Sequence, residues 1–208
     1  MERITRHDPA RSQLATHRGR EININNKIYK QNSLLYGPFG VRPALEDDTE
    51  MSGTEVWIRQ TGTDDVADIV ELSSALFRED AGQRDPFMNL DWPAEEGERY
   101  FAGLVGGDGS VCLLAGLAEK TVGYLAGRVE ERTTLRPVRV AELESMYVRE
   151  GHRELGVGAR LVEGFLEWAG SRGAERASVA AYAANERAIR FYQRSGFRPR
   201  SVTLERGL

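Results

Sequence analysis

Residues Glu142–Leu161 read ELESMYVREGHRELGVGARL, and their pattern decides how the rest of the chain is read. An alternating, strand-like run passes into a short turn carrying Gly156 and Gly158, and a helix begins there. The first N–H groups of a helix lack internal partners, and the helix dipole favours anions at that end. The two glycines let a bulky anion approach the main chain with no Cβ in the way. Just upstream, Glu142 and Glu144 are two residues apart and so share one face of the strand. A turn able to hold a phosphate beside two carboxylates is the outline of a group-transfer site.

Downstream of that stretch, Val157, Leu161, Phe165 and Trp168 recur at helical spacing, with Gly173 as the stop. Ala177–Ala181 reads as a short strand. Asn185 caps a helix running to Ser195 and ended by Gly196, and Val202–Leu204 reads as a final strand. Upstream lie three strand-like runs, Val111–Leu117, Thr121–Glu130 and Val138–Val148, the first two joined as a hairpin. Earlier still, Val56–Gln60 is a first strand. Thr63 is placed to cap a helix with Asp64 and Asp65 in its first turn and Val66, Ile69, Val70 and Phe77 on its apolar stripe. A loop, Gln83–Trp92, leads to Pro93 at the start of a helix that runs through Tyr100, Phe101 and Leu104 to a turn at Gly106, Gly107 and Gly109. Hairpin strands first, then strands separated by helices, predict a mixed sheet in a single α/β (α+β-like) domain.

The chain has 208 residues, enough for one well-formed core, and its 40% hydrophobic and 29% charged content is that of a soluble globular protein. A net charge of −4 gives no reason to expect nucleic acid or an anionic membrane as partner. Cys112, the single cysteine, lies in an apolar run and reads as a buried core thiol. No apolar run reaches membrane-spanning length, and the N-terminus lacks the apolar core of a secretory signal, so a cytoplasmic location is expected. No His/Cys/Asp/Glu cluster has metal-ligand spacing, so no metal is expected. Residues 1–50 are polar, close on the acidic run Glu46, Asp47, Asp48 and Glu50, and read as an extension; Met51 opens what looks like a domain covering 51–208. Either the true start is Met51, or residues 1–50 are an appendage that covers the domain or meets a partner.

Two blocks then carry a resemblance. The first is Arg153-Glu154-Leu155-Gly156-Val157-Gly158; the second is Asn185-Glu186-Arg187-Ala188-Ile189-Arg190-Phe191-Tyr192, followed by Gly196-Phe197. In this order and at this separation they resemble the signatures of the GNAT N-acetyltransferases, over about Val56 to Leu204. The fold that the resemblance implies has about six to seven strands and four helices. It implies acetyl-CoA as co-substrate, with the main chain of Arg153, Glu154, Leu155, Gly156, Val157 and Gly158 around the pyrophosphate. Main-chain groups of Met146 and Val148 would pair with the pantetheine arm, and an N–H near Met146 would polarise the thioester carbonyl. Tyr192 would protonate the departing thiolate, and Asn185 would contact the cofactor arm or an ordered water. Glu154 and Leu155 depart from the glycine and basic residues common in such turns, which bears on cofactor affinity. His152 stands near the phosphates as an electrostatic helper.

An acceptor amine with a pKa of ~10.4 is neutral in fewer than about one molecule in a thousand at pH 7, so attack needs help with a proton. Glu142 aligns with the base of histone-acetylating members and Glu144 with a glutamate common in small-molecule-acetylating ones. Both remain candidates, and the string Leu-Glu-Ser-Met-Tyr-Val favours Glu144. The acceptor is expected over the Arg84–Trp92 loop, where Asp85 and Asp91 can pair with a cation and Phe87 and Trp92 supply apolar or cation–π walls. The expected reaction is acetyl transfer to a primary amine of a small aminoglycoside-like or polyamine-like molecule, by the chain alone or as a homodimer. The alternatives are a protein lysine or N-terminus as acceptor, or a non-catalytic acyl-CoA-binding module.

Overall fold

The hairpin pattern builds most of the sheet. In the computed structural model, which describes residues 55–207, strands β1 (Val56–Gln60), β2 (Ser110–Leu117), β3 (Lys120–Glu130) and β4 (Val140–Val148) pair antiparallel in that order. A fifth strand, β5 (Arg176–Val179), joins parallel to β4 through a helical crossover, giving the mixed sheet expected. The readings of residues 1–50 and of Met51 as a start lie outside the described residues.

Each face of the sheet is covered by helices. Helix α5 (Val157–Ser171) buries Val157, Leu161, Val162, Phe165, Trp168 and Ala169 on one face, against Val111, Leu113, Ala141, Leu143 and Val148. It ends on Gly173 at φ +73, with Ala174 N–H donating to Ala169 O and Gly173 N–H to Gly170 O, the paired bonds of a Schellman stop. The opposite face packs Val66, Ile69 and Leu72 of α1 (Val66–Leu76) and Phe101 of α4 (Gly97–Val105) over Cys112, Leu114, Tyr124 and Tyr147. Cys112 is buried there, as its apolar run predicts. Its thiol is pushed up to about 12, chiefly by that burial.

Between these helices the chain makes a π-helical turn, Phe77–Ala81, that continues α1 into the single turn of α2 (Gly82–Arg84). No helix among the described residues is long and apolar enough to cross a membrane.

Three expectations need correction. The helix opening at Pro93 is two elements, α3 (Trp92–Glu95) and α4, broken at Glu96, whose φ of −125 interrupts the helical path. The first helical turn is capped from Gly62 rather than Thr63: Gly62 N–H donates to Asp65 Oδ2, and Thr63–Asp65 form a 3-10 turn ahead of α1. The final strand at Val202–Leu204 does not form, so the described residues hold five strands rather than six to seven. Val202 and Leu204 alternate like a strand but are exposed, with no sheet edge of the described residues paired to them. The last helix, α6 (Glu186–Arg194), follows β5 as expected.

Candidate active site

The site begins with a mismatch of one residue. On β4, Ser145 pairs with Ala126 and Leu143 with Gly127, leaving Glu144 as an extra residue in a β-bulge. Leu143 and Met146, three residues apart, therefore both pack toward α5, while Tyr147 packs toward α1. The bulge is also where β4 loses one neighbour. Pairing with β5 covers only Val140–Leu143, so Ser145–Val148 stay bonded to β3 with no strand of the described residues on their other side. This open edge contains Met146 and Val148. Val148 O already accepts from Arg153 Nε at 2.8 Å.

The edge runs into the glycine turn. Glu150–His152 form a 3-10 turn, Glu154 sits at φ +68, and Gly156, at φ +81, is the N-cap of α5. That left-handed angle is the reason for glycine at 156. Among the described residues no side chain caps α5, and its first turn holds no acidic residue, so the first N–H groups lie at the positive end of the helix dipole without a side-chain partner. Gly158 is small for a different reason: a Cβ there would lie 3.3 Å from the Phe191 ring, so this glycine lets α6 close against α5. The Glu154 side chain is 87% exposed and lies 3.5 Å from Arg187, turned toward α6. Leu155 is exposed.

Helix α6 carries the second sequence block. Asn185 Oδ1 accepts from Ala188 N–H at 3.0 Å, the capping role its position predicts. Its Nδ2 donates to Asp80 Oδ1 at 2.8 Å. At the other end Gly196 has φ +90 and Phe197 N–H donates to Tyr192 O at 3.0 Å, with the Tyr192 and Phe197 rings 5.8 Å apart. This is again a Schellman stop with its apolar contact, so the Gly-Phe of the second block fixes the place of Tyr192. Burial, then the nearby Asp80 charge, pushes the Tyr192 phenol up to about 12.

On the α1 face, Glu144 has a side chain only 12% exposed, its Oε1 2.9 Å from Arg128 Nε. Its Oε2 accepts from Tyr100 OH at 2.9 Å. Glu142 lies 3.9 Å from the same Arg128. Burial, then the Glu144 charge, moves the Tyr100 phenol well above its usual range, so it stays a donor. Tyr100 also meets Trp92 edge-on at 5.2 Å, and Trp92 stacks on Phe77 at 5.6 Å. An open groove of about 570 Å³, lined by Asn89, Trp92, Glu95, Glu96, Arg99 and Tyr100, runs along this corner.

The loop residues expected to meet the acceptor divide. Trp92 lines the groove. Asp85 instead accepts from Phe87 N–H at 3.0 Å and from Tyr182 OH at 3.4 Å. Phe87 is 94% exposed and does not line that groove. Asp91 is exposed, and its carbonyl accepts from Ala94 and Glu95 N–H. Sequence reasoning missed Tyr100, Arg128, Glu79 and Asp80. Arg128 had a legible signal, since the β3–β4 register sets it opposite Glu142; Tyr100 looked like one more apolar residue of its helix.

The acetyltransferase (GNAT) family matches residues 67–197. The chain belongs to that family. A curated relative, the uncharacterized N-acetyltransferase MJ1207 of Methanocaldococcus jannaschii, is 26% identical over 145 residues, which make up 70% of this chain and 62% of the relative. A tetramutant of the BH1408 protein from Bacillus halodurans has the same fold at a TM-score of 0.65 and 22% identity, covering 73% of this chain and 99% of that one. The aminoglycoside N-acetyltransferase AAC(6')-Iy in complex with CoA matches at a TM-score of 0.58 and 18% identity, over 74% of this chain and 96% of that one. At these identities the structural likeness is one of fold.

Proposed function

We propose that the protein transfers the acetyl group of acetyl-CoA directly to a primary amine of a small, cationic molecule of aminoglycoside-like or polyamine-like kind. The observation that carries this reading is the junction of the open β4 edge, Ser145–Val148, with the uncapped head of α5. An extended arm with free amide groups can add to that edge as a strand would, while its pyrophosphate meets the helix N–H groups. The family and the CoA complex of a fold neighbour support the same co-substrate.

In this reading the main chain of Arg153 to Gly158 cradles the pyrophosphate, and Met146 and Val148 line the pantetheine arm. The amine nitrogen attacks the thioester carbonyl carbon, whose oxygen takes up charge next to the β4 N–H groups. As the C–S bond breaks, Tyr192 gives its proton to the sulfur. The ammonium sheds two protons on the way to the amide: Glu144, or Glu142, accepts one and passes it to solvent, and the other restores the Tyr192 phenol. The sum is acetyl-CoA and an ammonium giving the amide, CoA thiol and one proton. Asn185 holds the head of α6 beside the arm.

The acceptor class rests on the corner around Glu144. Trp92 and Tyr100 offer ring faces and Glu95 and Glu96 offer charge, a lining suited to a compound with several ammonium groups. The test is thiol release from acetyl-CoA across a panel of aminoglycosides, polyamines and lysine- or N-terminal peptides. Turnover on the multiply charged small amines is the expected result. Turnover on peptides alone would move the assignment to a protein acetyltransferase, and CoA binding without turnover on any acceptor to a binding module.

A further inference from the structure

The π-helical turn Phe77–Ala81 sets two acids side by side, and each reaches a different part of the cofactor slot. Glu79 lies 2.5 Å from Arg153 Nη1 and accepts from Tyr147 OH at 3.0 Å. Arg153 continues the link: its Nε bonds Val148 O, and its guanidinium lies over the Tyr147 ring at 5.4 Å. One carboxylate thus ties the end of β4 and the start of the glycine turn into a unit. Asp80 accepts from Asn185 Nδ2 at 2.8 Å and is paired with Arg84 at 2.6 Å. The second carboxylate thus grips the cap of α6, the helix of Tyr192. Because the turn is π-helical, it inserts an extra residue in the helical path, a device frequent at functional sites.

We propose that Glu79 and Asp80 are positioning residues for acetyl-CoA: the turn that carries them holds Arg153 at the glycine turn and Asn185 at the head of α6 in the poses the cofactor meets. The inference rests on the cofactor reading above and extends it to an element outside both sequence blocks. It also explains why an acid, Glu79, stands against the glycine turn, where it would otherwise repel a phosphate. Arg153, then Tyr147, hold the Glu79 carboxyl below its ordinary range, so it remains a charged acceptor at neutral pH.

The sign of the effect separates this role from plain electrostatics. Removing an acid near phosphates should tighten CoA binding if charge alone matters. Loss of a positioning group should weaken it. Calorimetric titration of CoA into the whole chain, with acetyl-CoA KM measured in parallel, reads this directly. Glu79→Gln and Asp80→Ala are expected to weaken CoA binding by about tenfold or more, with KM rising and kcat less affected, and Asp80→Asn to recover part of the Asp80→Ala loss. Hydrogen exchange at the Ala188 amide should quicken in Asp80→Ala, an effect readable without cofactor.

Asp65→Asn serves as control, because its two-pronged pair with Arg59 at 2.6 Å lies in the first turn after β1. That variant should melt earlier and bind CoA as the wild type does. Unchanged or tighter CoA binding in Glu79→Gln and Asp80→Ala, or equal weakening in Asp65→Asn, overturns the proposal. If either variant does not fold, Glu79→Asp or Asp80→Asn takes its place under the same criterion. A wild-type chain that binds no CoA would instead remove the cofactor reading itself.

Discussion

With one oxygen on Arg128 and the other on Tyr100, the Glu144 carboxylate has little freedom to turn. In the proposed reaction a group so held would receive an ammonium in one pose, and both contacts would have to yield or share with it. Glu144→Gln is therefore expected to lower kcat by ~10²-fold or more at neutral pH, with a smaller deficit at alkaline pH where more amine is already neutral. A pH–rate profile that responds to Glu142→Gln and not to Glu144→Gln would transfer the role. Tyr192→Phe keeps the ring contacts with Phe191 and Phe197 but deletes the proton. It should cost ~10²–10⁴ in kcat while leaving CoA affinity within about twofold, as judged by titration beside steady-state rates. At this scale the sequence exposed what repeats: the glycine turn, Asn185 and Tyr192 stand in recognisable blocks. Tyr100, Glu79 and Asp80 were illegible because their meaning comes from which distant strand or helix they touch. Arg128 lay between these cases, for strand register was needed to pair it.

Helices and strands were legible where one periodicity dominated. The stripe of α5 and its glycine stop appear as expected, since Val157, Leu161, Phe165 and Trp168 have no other way to be buried together. The split of α3 from α4 was hidden because Glu96 carries no breaking side chain; its departure is a matter of backbone path. Val202–Leu204 failed for the opposite reason, an alternating pattern with no neighbouring edge. The β4 bulge left only a faint trace, two consecutive polar residues, Glu144 and Ser145, in a strand-like run. Its partner strand offers a test. A Cβ on Gly127 would fall 2.7 Å from Glu142 O and 2.6 Å from Phe165, backbone on one side and a buried ring on the other. Gly127→Ala should destabilise by ~1–3 kcal/mol, read as a lower urea midpoint. Gly158→Ala meets the Phe191 ring at 3.3 Å and Val148 at an ordinary 3.9 Å, so α6 can give by a few tenths of an ångström. A smaller stability loss is expected there, with a disproportionate fall in CoA affinity.

For the whole molecule, acid is the condition that should loosen the fold first. Arg59 holds the Asp65 carboxyl below its usual range, and Arg153 does the same for Glu79. A carboxylate with a lowered folded pKa contributes stability that is complete above its unfolded value of ~4 and is lost as pH falls through the folded one. The melting temperature should therefore be insensitive to these two groups above about pH 5 and decline below it, with a shallower decline in Asp65→Asn. Removing residues 1–50 is expected to leave CoA binding unchanged, and a shortened chain that no longer folds would show that stretch to be part of the domain. The extra residue at Glu144 has one more consequence, for how the chain tolerates length changes. It acts as a phase shifter: before it, odd-numbered residues of β4 point to α5, and after it, even-numbered ones do. Deleting Glu144 would restore a regular strand and leave Met146 facing α5 and Tyr147 facing α1, because Leu143 and Ser145 already pair with neighbouring residues of β3. The one residue that β4 could lose without turning over is therefore the one that carries the candidate base.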